Sequence, residues 1–542
     1  MISDWIRTNR IYVILAISVV SFVILKIPDL KLPFYWDEAW PFSHAIFKLY
    51  EHGLSFSPDA IPTEISRGHP ILFHFLTVIW MNIFGTSLLA MNSFPLFLSV
   101  ILLLAVFFVG KGLFNKETGL IATLLLGFQA VFVAQASFLL LEVQLSLFLL
   151  LMFYFHIKRK YIWFVLFGAA AILTKETAVF GIITLMIWEF ARLFFPKAYS
   201  SNFKQFLFRE LILIIPVAIA SIYYISQKFI HGWFFFPTHV DFISWEFQDI
   251  REKLWVSIGF IFFEQSRYLI TLLLILILAF RYYFLRKKFE RKNWEVTQLF
   301  MLFIILFIIL SSINFLSDRY LLCTLPFFLL VFAYALQDTF QFKPFFTVFG
   351  TLIIIAILAD FLTQTENTQD STLGYRDQVE VHRQMVEYCE EQNLYDKDIY
   401  THFLMQVNLT SPYAGYLSDT SKRFTRVSDQ FNQDTDYCIF SNIEYSPEFS
   451  RIRKWYNLEL EKKFRENLAW VELFKVKPIT TEQDSVMQVK FSKLVERFIQ
   501  EIKNKDEWLE SIRLKALREG VPLDTMIRRD AVYMASQEME EK

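Results

Sequence analysis

The chain has 542 residues, of which 55% are hydrophobic and only 20% charged, with 62 Phe and a formal net charge of -1. Soluble domains run nearer about 45–50% apolar and about 25% charged, so the surplus points to lipid as a solvent, and the near-zero charge argues against nucleic acid as a principal partner. Cys323, Cys389 and Cys438 are too few for a disulfide scaffold and show no metal-ligand spacing.

The first apolar run, "IYVILAISVVSFVILKIPDL", follows a short basic stretch. It is longer than a signal-peptide core and lacks a small-residue cleavage site, so it reads as a retained anchor. Bilayer-length runs are expected near 11–29, 87–110, 118–136, 139–157, 161–174, 178–195, 208–230, 267–284, 297–314, 319–337 and 345–362. One more segment, "ILFHFLTVIWMNIFG" (71–85), is short and carries His74 and Asn82. Loop charges decide its status. If it does not cross, one side of the membrane collects about 18 Lys/Arg in roughly 63 loop residues, against about 8 in roughly 90 on the other. A crossing would reverse that bias. The expectation is a polytopic α-helical membrane protein with about eleven transmembrane helices and a cytoplasmic N-terminus. Segment 71–85 then lies along the outer interface or re-enters. A transmembrane domain over 1–362 carries outer loops 30–86 and 231–266, and the chain after about 363 faces outward.

From 363 the pattern changes. "RDQVEVHRQMVEYCEEQN" has helical spacing, while "DKDIYTHF", "DYCIFSN", "LELEKKF" and "AWVELFKVK" read as strands. A small extracytoplasmic α/β domain is expected over 363–479, followed by a charged helical tail over 480–542 in which Gly520 and Pro522 end a long helix and a shorter one follows. Cys389 and Cys438 could bridge in an oxidising compartment, although buried core positions suit both better. There is no Gly-rich phosphate loop, internal repeat or low-complexity tract.

The chemistry gathers in the outward segments. "FYWDEAW" (34–40) sets Asp37 and Glu38 side by side. Neighbours on a helix point about 100° apart, so one carboxylate can face a pocket while the other orients it, binds a cation or stabilises a helix N-terminus. The flanking Tyr35 and Trp36 suit the headgroup level, and a polar loop with an interfacial belt is the competing reading. "SRGHP" sets Arg67 and His69 at the entrance to 71–85. "LLLEVQ" puts Glu142 inside an apolar run, a costly place unless the carboxylate faces a cavity or a partner. "LTKETA" places Lys175 and Glu176 at the outer end of a helix, where a snorkelling lysine is the plain alternative. "SDRY" and "FFFPTHVDF" bring Arg319 and His239 to the same rim. Outward carboxylates beside outward cations fit group transfer from a lipid-linked phosphate. The acceptor hydroxyl needs a base, and the leaving phosphate needs positive charge.

An Asp-Glu pair after the first helix is followed in order by "GHP", "VFFVGKGLFNKETGLIATLLL", a carboxylate in "QASFLLLEVQLSLFLLLMFYF" and "AAAILTKETA". This order resembles the GT-C glycosyltransferases, in the branch of protein O-mannosyltransferases and the lipid A aminoarabinose transferase. The resemblance is clearest over about 30–180 and continues at "DRYLLCTLPFF". It implies an inverting transferase at the outer face of the plasma (bacterial inner) membrane, moving a sugar from a polyprenyl-phosphate donor to a lipid, glycan or protein hydroxyl. It makes Asp37 the base or acceptor-orienting carboxylate, with Glu38 beside it and Glu142 where the family usually has Asp. Lys175, Arg319 and Arg67 would hold the donor phosphate, and His69, His239, Tyr35 and Trp36 would line the cleft. Ser93 in "NSFP" departs from the Arg often found there, and Glu142 adds a methylene. Asp37, Glu38 and Glu142 are candidate ligands for Mg²⁺ or Mn²⁺, since hard oxygens suit those ions, although Lys175 and Arg319 make a metal dispensable. The alternative is a transporter or lipid flippase, which would show repeats and polar groups at the bilayer midplane.

Overall fold

The structure is a computed structural model that describes residues 2–540 except 195–202, 287–288, 341–367, 433, 444–448, 450–451, 454–455, 478–481 and 520–522. It divides into two compact units, 1–379 with Tyr413–Gly415, and 380–412 with 416–542.

The first unit is helical. Ile2–Lys26 leaves Ile14, Ile17, Val20 and Ile24 exposed, and an apolar helix with open side chains belongs in lipid. Among the described residues six helices are long and apolar enough to cross a membrane: Asn9–Lys31, Leu88–Leu113, Phe203–His231, Arg267–Leu285, Arg291–Ile313 and Asp318–Phe340. Leu72–Phe84, Glu142–Ile157 and Tyr161–Thr174 are shorter apolar helices. The chain is a multi-pass membrane protein. The run expected over 345–362 lies outside the described residues.

One expected span is broken. Instead of a helix over 118–136, Lys116–Gly127 stops and a short helix Ala130–Gln135 follows. Gln129 stands at the break. Its amide nitrogen donates to the Leu125 carbonyl at 3.1 Å, and its oxygen accepts from Arg267 Nη1 at 2.9 Å. Likewise, the helix expected from 139 begins only at Glu142. Asn115 caps Lys116–Gly127 by accepting the Thr118 N–H at 2.9 Å. This helix meets Leu88–Leu113 backbone to backbone. A Cβ on Gly110 would lie 2.6 Å from Gly119 Cα, and one on Gly119 would lie 2.4 Å from the Phe107 carbonyl oxygen. Close approach of small residues is how helices pack where lipid gives no hydrophobic drive.

Residues 413–415 join this unit through the loop that leads to Asp37. The Phe34 N–H donates to the Ala414 carbonyl at 3.0 Å, and the Tyr413 ring stacks on Phe47 at 4.8 Å.

Among the described residues the second unit holds five strands, β1 (Ile399–Tyr400), β2 (Val427–Ser428), β3 (Tyr437–Ser441), β4 (Leu458–Glu466) and β5 (Ala469–Val476), in the order β2-β1-β3-β5-β4. β1 pairs in parallel with β2 and β3, and β5 pairs antiparallel with β3 and β4. The charged tail belongs to this same unit. Its long helix is two, Glu482–Asn504 and Asp506–Glu519, and Leu523–Glu540 follows. They close around Ile502, Ile512, Met526, Ile527 and Ala531. Cys389 and Cys438 are buried and free.

Candidate active site

Arg319 is the centre of the site. It lies in the 3-10 turn Asp318–Thr324 and is 4% exposed. A guanidinium presents donors along several directions in one plane, and here three carboxylates surround it. Nη2 donates to Asp37, Nη1 donates to Asp370, and Nε lies 3.7 Å from Glu142 Oε1. The same Glu142 oxygen is 3.5 Å from Lys175 Nζ. Lys175 also sits over the Tyr320 ring, 3.3 Å from its centroid, a cation–π contact that replaces part of its lost hydration.

Each member is placed by the end of an element. Glu142 opens the helix Glu142–Ile157, where the positive end of the helix favours a carboxylate. Lys175 is the first extended residue after Tyr161–Thr174. Asp37 sits in the 3-10 turn Trp36–Glu38 and is half-buried. Asp370 was not singled out from the sequence. Its position is set by backbone bonds on either side of it. Tyr35 donates through its hydroxyl to the Thr368 carbonyl, Gln135 donates to the Asp370 carbonyl at 2.9 Å, and Gln265 donates to the Ser371 carbonyl at 3.1 Å. A few residues on, Tyr375 and Arg376 each donate to Asp29 at 2.8 Å, tying the same segment to the end of the first helix. At the heart of the cluster Glu142 Oε2 and Arg319 Nε are buried without a hydrogen-bond partner among the described residues. Buried polar atoms are rarely left so, and a bound ligand is one way to satisfy them.

The structure sets several of these residues in surroundings other than those expected. Glu38 is turned to the backbone rather than to Arg319. It is 2% exposed, and its two oxygens accept the N–H groups of Tyr35, at 3.1 Å, and Leu139. It therefore fixes the Asp37 turn against the Leu139 segment. Tyr35 does not line a cleft but is core, with its ring 6.3 Å from Phe138 and 6.2 Å from Tyr375. Trp36 is half-buried beside it, at a positive φ of 52°. Arg67 stands exposed on the turn that carries His69, at a φ of 47°. The metal set Asp37, Glu38 and Glu142 does not converge, because Glu38 turns to the backbone while Asp37 and Glu142 close on Arg319.

A different set does converge. Among the described residues, His69, Glu176 and His239 bring one ligating atom each within 4.8 Å of one another. His69 Nδ1 lies 3.2 Å from Glu176 Oε2, and the two imidazole centroids are 4.6 Å apart. Burial pushes the Glu176 carboxyl up, but the charge and hydrogen bond of His69 outweigh it and hold the group down at about 2. Burial, aided by the charge of His69, holds the His239 imidazole down at about 3 and therefore neutral. Glu176 follows Lys175 directly, so this trio adjoins the Arg319 cluster along the chain.

The profile of the family described as dolichyl-phosphate-mannose-protein mannosyltransferase matches residues 68–224, a span that includes His69, Glu142, Lys175 and Glu176. No protein of curated function matches the chain in sequence. Among solved structures it is similar to ArnT from Cupriavidus metallidurans bound to undecaprenyl phosphate, with a TM-score of 0.54 at 12% identity over 86% of this chain and 98% of that one. The apo state of ArnT gives 0.53 at 13% over the same shares. The oligosaccharyltransferase AglB from Archaeoglobus fulgidus, in complex with an inhibitory peptide and a dolichol-phosphate, gives 0.47 at 12% over 89% and 75%. The likeness to ArnT gives this chain the fold of the GT-C membrane glycosyltransferases, joined to a small sheet-containing unit toward the C-terminus.

Proposed function

We propose that the chain transfers a sugar, a hexose or a pentose, from a polyprenyl-phosphate donor to a hydroxyl at the outer face of the membrane. The observation that carries this reading is the convergence of Asp37, Glu142, Asp370, Lys175 and Arg319 from five separate segments. The family profile and the ArnT fold support it, and the undecaprenyl phosphate bound to ArnT supports a prenyl-phosphate carrier.

In the proposed step Asp37 takes the proton of the acceptor hydroxyl while that oxygen forms a bond to the anomeric carbon. The bond from that carbon to the phosphate oxygen breaks, and its electron pair leaves with the phosphate. A single displacement inverts the sugar. Phosphate is a weak base, so it needs no general acid, but its developing charge needs nearby cations, which Lys175 and Arg319 would supply. In the structure both already face carboxylates, so a bound donor has to compete for them. The half-buried Asp37 is the carboxylate most open to an acceptor.

Loop charge supports a cytoplasmic N-terminus and an outward segment after about 363, in a plasma (bacterial inner) membrane. The acceptor is a lipid, glycan or protein hydroxyl. The test compares glycans and lipids of membranes holding wild-type protein with those holding Asp37→Asn. A glycan or glycolipid lost only in the variant is expected. Identical profiles, or movement of the donor lipid across the bilayer without its consumption, would favour a transporter instead.

A further inference from the structure

His69, Glu176 and His239 come from three separate segments that the fold brings together. His69 follows Gly68, whose φ of +67° is left-handed, and a Cβ there would lie 2.8 Å from both Phe236 Cβ and the Trp233 ring. The chain 66–70 thus packs tightly on 233–236, which leads into the short helix Pro237–Asp241 that carries His239. The third segment is the 3-10 turn Glu176–Ala178. The Tyr223 hydroxyl donates to the His69 carbonyl at 3.4 Å and steadies that turn.

We propose that these three side chains form a binding site for a divalent transition-metal ion of the zinc class. Two imidazoles and one carboxylate are a ligand set that zinc takes when it keeps a position open for another ligand. Bonds of about 2.0–2.2 Å separate tetrahedral ligand atoms by roughly 3.4 Å, close to the 3.2 Å between His69 Nδ1 and Glu176 Oε2. A His–Glu hydrogen bond alone would not require a second imidazole at 4.6 Å. His69 and Glu176 are 17% and 27% exposed, which leaves a side open for exchange and for a further ligand. That ligand would be a phosphate oxygen of the proposed donor, since Glu176 is the chain neighbour of Lys175, whose ammonium reaches Glu142 in the Arg319 cluster. This last assignment rests on the proposed function, whereas the metal site itself does not.

The experiment uses the full chain in detergent, stripped with chelator, equilibrated with Zn²⁺ and desalted before elemental analysis. About one equivalent per chain is expected. Co²⁺ in its place should give the visible absorption of a low-coordinate ion. Glu176→Gln and His239→Phe should reduce bound metal to background, the latter while keeping a ring against His69. Zn²⁺ should raise the unfolding temperature of the wild type and not of these two variants, which also checks that they fold. Asp37→Asn should bind metal like the wild type, so failure of the transferase reading leaves this result standing. Wild-type protein that holds no metal, or variants that hold as much, would overturn the site. If metal binds but its removal leaves transfer unchanged, the phosphate role is overturned.

Discussion

Asp37→Asn exchanges a carboxylate for an amide of nearly the same shape. General-base catalysis contributes about 10²–10⁴-fold, which at about 1.36 kcal/mol per decade is about 3–5 kcal/mol of transition-state stabilisation. The cost in folding is far smaller. The Asp37 carboxylate is 26% exposed, so water screens its pair with Arg319, and the guanidinium keeps Asp370 and Glu142. A loss of about 1 kcal/mol or less is expected there. Asp370→Asn is the comparator, since it removes one negative charge from the same guanidinium without touching the proposed base. The assay follows acceptor-dependent release of polyprenyl phosphate by purified protein, with thermal unfolding measured alongside. Asp37→Asn should lose at least about a hundredfold in turnover at nearly unchanged unfolding temperature, and Asp370→Asn should lose much less. Equal losses in the two variants would refute the reasoning, because charge around Arg319 would then explain the whole effect.

Glu38→Gln keeps the side-chain length but offers one acceptor where two backbone N–H groups need one each. The amide nitrogen then faces a donor, at a cost of about 1–3 kcal/mol. It should show as a lower unfolding temperature, and an unchanged one would mean that Glu38 does not hold the Asp37 turn. Gly68→Ala adds a Cβ at a left-handed φ and 2.8 Å from Phe236 Cβ, so it should destabilise by at least about 1 kcal/mol. It should also expose the 66–70 loop to protease faster than the wild type, and equal cleavage rates would contradict the packing described.

The acidic and basic residues legible in the sequence were those in places that lipid makes costly. Glu142 interrupts an apolar run, and Lys175 and Arg319 stand where apolar runs begin or end, so each called for a partner and found one. Asp370 gave no such sign. It lies in the plain polar stretch "NTQDST", and its place depends on Tyr35, Gln135 and Gln265, all more than a hundred residues away. Glu38 reads in the sequence only as the carboxylate beside Asp37, and only the fold brings the Leu139 amide to it. Tyr35 shows that an aromatic cluster beside a membrane helix reads alike whether its rings meet headgroups or pack inward. The break at Gln129 was within reach, since Gly127 and a polar side chain already interrupted the apolar pattern there.

Because Tyr413–Gly415 belongs to the first unit, the chain passes between the two units three times. A single proteolytic nick after Val379 would therefore leave Tyr413–Gly415 on a different fragment from the rest of the unit it belongs to. Truncation at that point would also strip the Ala414 carbonyl from the Phe34 amide, three residues before Asp37. Inactivity of such a truncated chain would report an unmoored loop, and it would say nothing of any catalytic part played by the sheet.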